Sequence, residues 1–442
     1  MKHRSQRLIL FLVTILIIPS ITCTILKPKS AALQREPDKE SPDSTTVEDS
    51  GDALPEATGD EIEITQTVTY LDEFGYWNLH GLLTNIAEYP VGSIAVDIQV
   101  AGTSVIGPTF IGASGITPGE IQPFYFRLPL AFTNVEELEV NVVEIRKVLL
   151  DPIQLEIGQA KLATAENGIV TLIGEVQNNA GSPARIYSAK AVLFSADGDL
   201  ITTASCQVCP GYVIPGDKAP VQFLIYGHPA SAVIDHYEIY VAADKAASVD
   251  GLVIDFNDPV HTYTDSVGSF YLLGDLQNNS DKILVLRLLG SFYNQNREII
   301  GAVSYGLPGN SLAPGESAPY ELVIIDPIEA VADWSIQVDL ARSSVRAEPA
   351  FQLPASTTGI TKEEYLWNVS GTATNDSGQS LQLINVVVEV RDKGTGKLVG
   401  LNQYFEAGDY PAGGTIDYSL NIKLDPAFDP STLEEFVKVL GE

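Results

Sequence analysis

Histidine, cysteine and methionine are scarce in this chain of 442 residues, numbering five, three and one. So few nitrogen and sulfur side chains leave little material for metal centres or for imidazole and thiol nucleophiles. Basic residues are also few: 26 Lys and Arg stand against 57 Asp and Glu, for a net charge of −31. A chain this acidic repels phosphate backbones, because binding nucleic acid needs cations that displace condensed counterions. The Gly-x-Ser-x-Gly elbow, the His-Glu-x-x-His helix and the phosphate-cradling glycine loop are all missing. No enzyme activity, cofactor, bound metal or nucleic-acid partner is expected. The apolar share of 45% is that of an ordinary globular protein, so the chain as a whole is expected to fold.

Lys2, Arg4 and Arg7 precede an apolar run from Leu8 to Ile18. That is the length of a signal-peptide core; extended to Leu26 it becomes a marginal membrane span. The positive charges hold the N-terminus inside, so everything downstream is expected to be extracytoplasmic. Residues 1–26 thus read as a signal peptide or membrane anchor. Cys23, after Ser20-Ile21-Thr22, is a candidate for lipid attachment, since these residues partly resemble a bacterial lipobox. Cleavage near Ser30-Ala31-Ala32 and retention of the run as an anchor are the alternatives. Residues 27–61 follow, rich in Asp, Glu, Pro, Ser and Thr from Arg35 onward. They cannot bury enough apolar surface to offset ordering entropy and read as a disordered acidic linker.

From Ile62 the chain repeats itself. Gly-x-(Leu/Val/Ala)-x-Asn occurs at Gly81–Asn85, Gly174–Asn178, Gly274–Asn278 and Gly371–Asn375. A turn motif follows each copy: Pro118-Gly119-Glu120, Pro215-Gly216-Asp217, Pro314-Gly315-Glu316 and, loosely, Pro411-Ala412-Gly413. Two motifs in step across four copies indicate four homologous domains, at 62–149, 150–247, 248–347 and 348–442. Within each copy apolar residues alternate, as in Trp77/Leu79/Gly81 and Trp367/Val369/Gly371, which is the period of a strand. Short strands between Gly, Pro and Asn turns predict an all-β chain of four tandem immunoglobulin-like antiparallel sandwiches. Each is expected to fold on its own core, with Gly174 facing inward beside large residues. The repeated Asn is expected to satisfy local backbone groups at a strand end.

The segments Ala191-Val192-Leu193-Phe194-Ser195-Ala196-Asp197-Gly198 and Gly290-Ser291-Phe292-Tyr293-Asn294, with the two turn motifs, resemble FxLYD-type domains. These are immunoglobulin-like modules of bacteria and archaea. The resemblance implies an exported, surface-associated module and brings no catalytic residues. It departs in the first copy, whose hairpin shrinks to Val100-Ala101-Gly102-Thr103.

Three features invite chemistry. Cys206-Gln207-Val208-Cys209 lies in a β-domain rather than opening a helix, so an oxidising compartment predicts a local disulfide between Cys206 and Cys209. The three tryptophans alternate with apolar residues and are expected in cores rather than on a sugar platform. Asp255-Phe256-Asn257-Asp258-Pro259 faintly resembles a cadherin calcium linker, but flanking carboxylates are not identifiable. The expected function is a non-catalytic surface protein serving as spacer, adhesion or assembly module, anchored in the membrane or secreted. The alternative is an extracytoplasmic binding subunit of an envelope or secretion complex. Its partner would be a protein or the cell wall, with the membrane reached through the N-terminus.

Overall fold

The computed structural model describes residues 61–442, apart from 73, 112–114, 130–134, 136, 148–150, 165–168, 226–227, 229–231, 247–252, 308–310, 326, 340–343, 347–348 and 364. The leader, Cys23 and the acidic linker lie outside the described residues. The described chain is all-β, with one short 3-10 turn at Pro430–Thr432. Among the described residues, no helix is long and apolar enough to cross a membrane.

Six principal strands recur four times. The first set is β1 (Ile62–Leu71), β2 (Trp77–Asn85), β3 (Val91–Val100), β4 (Thr103–Ile111), β5 (Ile121–Arg127) and β6 (Leu138–Lys147). The second is β7 (Lys161–Thr164), β8 (Val170–Gln177), β9 (Ala184–Phe194), β10 (Leu200–Val208), β11 (Lys218–Ile225) and β12 (His236–Lys245). The third is β13 (Ile254–Thr264), β14 (Phe270–Asn278), β15 (Arg287–Tyr293), β16 (Ile299–Gly306), β17 (Ser317–Ile324) and β18 (Asp333–Val338). The fourth is β19 (Ala355–Glu363), β20 (Leu366–Thr374), β21 (Leu381–Asp392), β22 (Leu398–Tyr410), β23 (Thr415–Lys423) and β24 (Leu433–Gly441). In every set the first, second and fifth strands form one antiparallel sheet, and the third, fourth and sixth form the other. The chain therefore crosses between sheets three times, as in Greek-key sandwiches. In the second set β10 also pairs with β11, which joins its two sheets along one edge.

Each sandwich closes on its own apolar cluster. Leu79, Ile94, Val96 and Phe124 centre the first, and Leu172, Leu193, Val221 and Phe223 the second. Leu272, Phe292, Tyr320 and Leu322 centre the third, and Trp367, Val386, Val388 and Leu420 the fourth. Trp77 and Trp334 pack against the first and third clusters, so all three tryptophans belong to cores.

The two repeated motifs turn out to be one structure. Asn85, Asn178, Asn278 and Asn375 are fully buried. The Nδ2 of Asn278 donates to the carbonyls of Lys282 at 2.7 Å and Leu312 at 2.8 Å, and its Oδ1 accepts from Ser280 N. Equivalent bonds recur at Asn85, Asn178 and Asn375. Their backbones pair with the turn motif: Gly315 N donates to Asn278 O, and Asn278 N to Glu316 O. The asparagine thus satisfies a buried crossover from one sheet to the other, besides its local turn.

Three of the four motif glycines lie under a cross-strand ring. Gly81 pairs with Phe124, Gly274 with Tyr320 and Gly371 with Tyr418. A β-carbon on Gly81 would fall 2.1 Å from Phe124 Cζ, and one on Gly371 would fall 2.2 Å from the Ser356 carbonyl oxygen. Glycine is required there by close approach.

Candidate functional site

The alternation that sends Leu79 or Leu172 into a core sends their neighbours outward, yet those neighbours are not left in water. His80 is 3% exposed, and Ile173 and Leu273 are wholly covered. Each precedes a motif glycine on the outer face of the first sheet of its sandwich. That face is covered by the third and fourth strands of the following sandwich.

The first joint gathers Leu82 with Val192, Phe194 and Leu200, flanked by Val68, Ile121 and Tyr240. The second gathers Ile173 and Val208 with Leu289, Ile299 and Ala302. The third gathers Tyr263, Tyr271 and Leu273 with Val387, Leu398 and Leu401. The same two faces meet in the same order three times. Three prolines mark the covered face: Pro123, Pro220 and Pro319 pair with the residues just after the motif glycines and are buried. The fourth sandwich carries Asp417 at the equivalent place, and it is exposed.

One hydrogen bond also recurs. Leu200, Ile299 and Leu398 open the fourth strand of their sandwiches, and three residues later stand Thr203, Ala302 and Leu401. Each of these three donates its backbone N–H across a joint. Thr203 N donates to His80 Nδ1 at 3.1 Å, and Ala302 N to Gln222 Oε1 at 2.9 Å. Leu401 N donates to the carboxyl of Glu321. Gln222 and Glu321 occupy equivalent positions, opposite Ile173 and Leu273. In the first joint that position is Tyr125, which stacks on His80 at 4.7 Å between ring centroids.

Electrostatics differ among the three acceptors. Burial pushes the His80 imidazole down to about 3, and its Nε2 is buried with no partner. Burial pushes the Glu321 carboxyl up to about 8, although the Leu401 N–H and the Lys423 cation pull it back. Around Glu321 the third joint is the most charged. Arg391 grips Asp275 in a bidentate pair at 2.7 and 2.9 Å and also binds Glu389. His261 Nε2 meets Asp425 Oδ2 at 2.7 Å, with both side chains buried, and Lys423 pairs with Asp265. Burial opposes the Arg391 cation, but Asp275 and Glu389 more than offset it and raise its pKa.

The residues singled out by sequence do not meet at a site. Cys206 and Cys209 stand as thiols at the margin of the second core, and Cys206 Sγ donates to the Val208 carbonyl at 3.0 Å. The disulfide expected between them is not present in the structure. Asp255 accepts a hydrogen bond from Asn279 at the open end of its own hairpin, while the side chain of Asp258 is outside the described residues. Among the described residues, no three His, Cys, Asp or Glu side chains cluster as metal ligands. A cavity of about 420 Å³ is lined by Pro118 and Glu120 of the first sandwich and by Tyr187, Ile239 and Asp244 of the second. Tyr187 donates to the Asp244 carboxylate.

The alternation of Trp77, Leu79 and Gly81 in the sequence leaves His80 on the opposite face, and nothing local there points to the joints. The available signal is apolar or proline residues at outward positions, in three copies and not in the fourth.

No family model and no curated protein matches the chain. Among solved structures it is similar to native E. coli alpha-2-macroglobulin, seen by single-particle electron cryo-microscopy, at 10% identity and a TM-score of 0.14. The likeness covers 86% of this chain and 26% of that one, so the chain spans about a quarter of the macroglobulin's length.

Proposed function

We propose that this chain is a non-catalytic, exported protein displayed at a cell surface, where residues 62–442 serve as a spacer or assembly module. The observation that carries the reading is the threefold repetition of one buried joint. Loosely strung domains leave their ends free to wander. Docked neighbours hold whatever binds at one end in a defined relation to the other, which suits a spacer better than a set of independent binding heads.

The basic n-region and the apolar run support export, with Cys23 or the uncleaved run as the membrane attachment. The acidic linker 27–61 would then separate the sandwiches from the bilayer, and like charges would extend it. The resemblance to FxLYD-type modules fits the same setting, as does a protein or cell-wall partner. Domain limits at 62–149, 150–247, 248–347 and 348–442 are part of this reading.

The test is protease treatment of intact cells that carry the full chain with a C-terminal epitope. Display predicts loss of the epitope before lysis, and an epitope protected until lysis overturns the proposal. Metabolic labelling with a radioactive fatty acid separates the attachments: label lost in Cys23→Ser identifies a lipid anchor, and a retained but unlabelled wild-type chain identifies the hydrophobic run.

A further inference from the structure

The three joints share a backbone donor but not the chemistry of its acceptor. Gln222 has no titratable proton. His80 accepts on Nδ1 only while neutral, because the imidazolium form has two N–H donors and no acceptor. Glu321 fits its joint as an uncharged acid, since its Oε2 is buried without a partner and an unpaired carboxylate there would be costly. We propose that the three joints form a proton-coded series, in which the first lets go in acid, the third lets go toward alkali, and the middle one holds throughout.

The surroundings of each acceptor support this. His80 lies between the rings of Tyr70 and Tyr125, stacked at 5.4 and 4.7 Å. Burial alone lowers its pKa, so no charged neighbour compensates an imidazolium. With the joint open His80 returns toward its ordinary value of 6.5. A pKa lowered by docking means docking is full above 6.5 and weakens as pH falls toward 3. Glu321 faces Lys423 from the fourth sandwich, and the phenols of Tyr263, Tyr271 and Tyr305 from its own. The Lys423 cation is already bound to Asp265. A pKa raised by docking means docking is full below the ordinary 4.5 and weakens until about pH 8.

Two other groups titrate in the third joint. Burial raises the Glu389 carboxyl, which reinforces the alkaline slope, with Arg391 restraining it. Burial and Lys397 lower His261 against the pull of Asp425, which adds an opposing acid slope. Removing Glu321 therefore takes away the largest alkaline response and leaves the His261 response visible. Between pH 4.5 and 6.5 the first and third joints respond in opposite directions, each by about tenfold in docking constant per pH unit.

The donors themselves report the outcome. Amide hydrogen exchange on the full chain between pH 4.5 and 8.5, corrected for intrinsic rates, gives protection factors at Thr203, Ala302 and Leu401. Protection at Thr203 should rise about tenfold per unit up to pH 6.5, and at Leu401 it should fall, while Ala302 stays level. His80→Gln and Glu321→Gln, which supply an amide acceptor like that of the middle joint, should flatten the Thr203 profile and reduce the alkaline fall at Leu401 to the shallower slope left by Glu389. Three parallel profiles in the wild-type chain overturn the proposal whether or not the variants fold. So does an alkaline fall at Leu401 that is undiminished in Glu321→Gln. This reading concerns the purified chain and stands or falls independently of surface display.

Discussion

Replacing a motif glycine by alanine measures how tightly each sandwich closes, and the four copies should respond unequally. An added β-carbon on Gly81 lies 2.1 Å from Phe124 Cζ and within 2.8 Å of two more ring atoms. Phe124 is itself only 2% exposed, so the ring can retreat only by displacing the core. At Gly371 the new carbon meets the backbone oxygen of Ser356 at 2.2 Å and the Tyr418 hydroxyl at 2.3 Å. At Gly174 it meets Ala160 Cβ at 2.9 Å, on a short segment entering β7 that can shift by a few tenths of an ångström. Overpacking a core costs about 1–3 kcal/mol, so Gly81→Ala and Gly371→Ala belong near ~3 kcal/mol and Gly174→Ala near ~1 kcal/mol. For a sandwich of this size each ~1 kcal/mol lowers the melting point by about 4–8 °C. The assay is thermal and urea unfolding of the full chain by circular dichroism, with tryptophan fluorescence reporting the first sandwich through Trp77 and the fourth through Trp367. A second substitution sharpens the test. Phe124→Val copies the Gly174–Val221 pair and should recover part of the loss in Gly81→Ala. Tyr418→Val should not rescue Gly371→Ala, because the Ser356 carbonyl still blocks it. Equal losses at all four glycines, or rescue at Gly371, would refute the close-approach argument.

Other outcomes follow from the same geometry. Asn278→Ala removes four hydrogen bonds and should cost about 4 kcal/mol in urea unfolding at roughly 1 kcal/mol each. Asn278→Asp should cost more, since a buried carboxylate would face two carbonyls. Gly216→Ala points into open space, but its φ of +86° should still cost about 1 kcal/mol in thermal unfolding. Arg297 holds a φ of 62° in a hairpin where the second sandwich has Gly198, so Arg297→Gly should raise the melting point slightly. Arg391→Met leaves Asp275 and Glu389 unpaired and should weaken the third joint by ~2 kcal/mol, less than a fully buried pair would show. Limited proteolysis around Leu398–Leu401 reads that loss. Residues 150–247 expressed alone should melt cooperatively but associate, because Ile173, Val192, Phe194 and Val208 lose their covers; sedimentation at rising concentration checks it.

Much of the fold was legible because alternation and turn chemistry are local. Trp77 and Leu79 announce an inward face without reference to anything distant, and Pro-Gly-Glu announces a positive φ. What periodicity cannot say is whether an outward face meets water or another domain. His80 beside Asn78 reads as solvated until Thr203, more than a hundred residues later, supplies its partner. Glu321 sits between Tyr320 and Leu322 in an alternating strand and looks like any exposed acid. Only comparison among the copies distinguishes them: Pro319 beside Glu321 has counterparts in Pro123 and Pro220, whereas the fourth copy has Asp417. The asparagine declares itself a backbone ligand, but its reach to a carbonyl more than thirty residues on depends on the Greek-key crossing. The expected pairing of Cys206 with Cys209 rests on compartment, a property of the surroundings that the folded chain does not itself carry.

A contact between two different faces has no internal reason to stop. Between separate molecules such head-to-tail matching builds filaments of indefinite length, and here the repeat is used three times within one chain. The fourth sandwich offers the next molecule Ser370, Thr372, Asp417, Ser419 and Asn421 where its predecessors offer His80, Ile173 or Leu273 and a buried proline. Asn368 already spends its amide on Ser419 and Asn421 within the same face. At the other end, the outer face of β3 and its neighbours carries Asp97, Glu139 and Glu144. The match is thus used three times, and the corresponding face of the fourth sandwich carries polar side chains, as in the capping repeats of solenoid proteins.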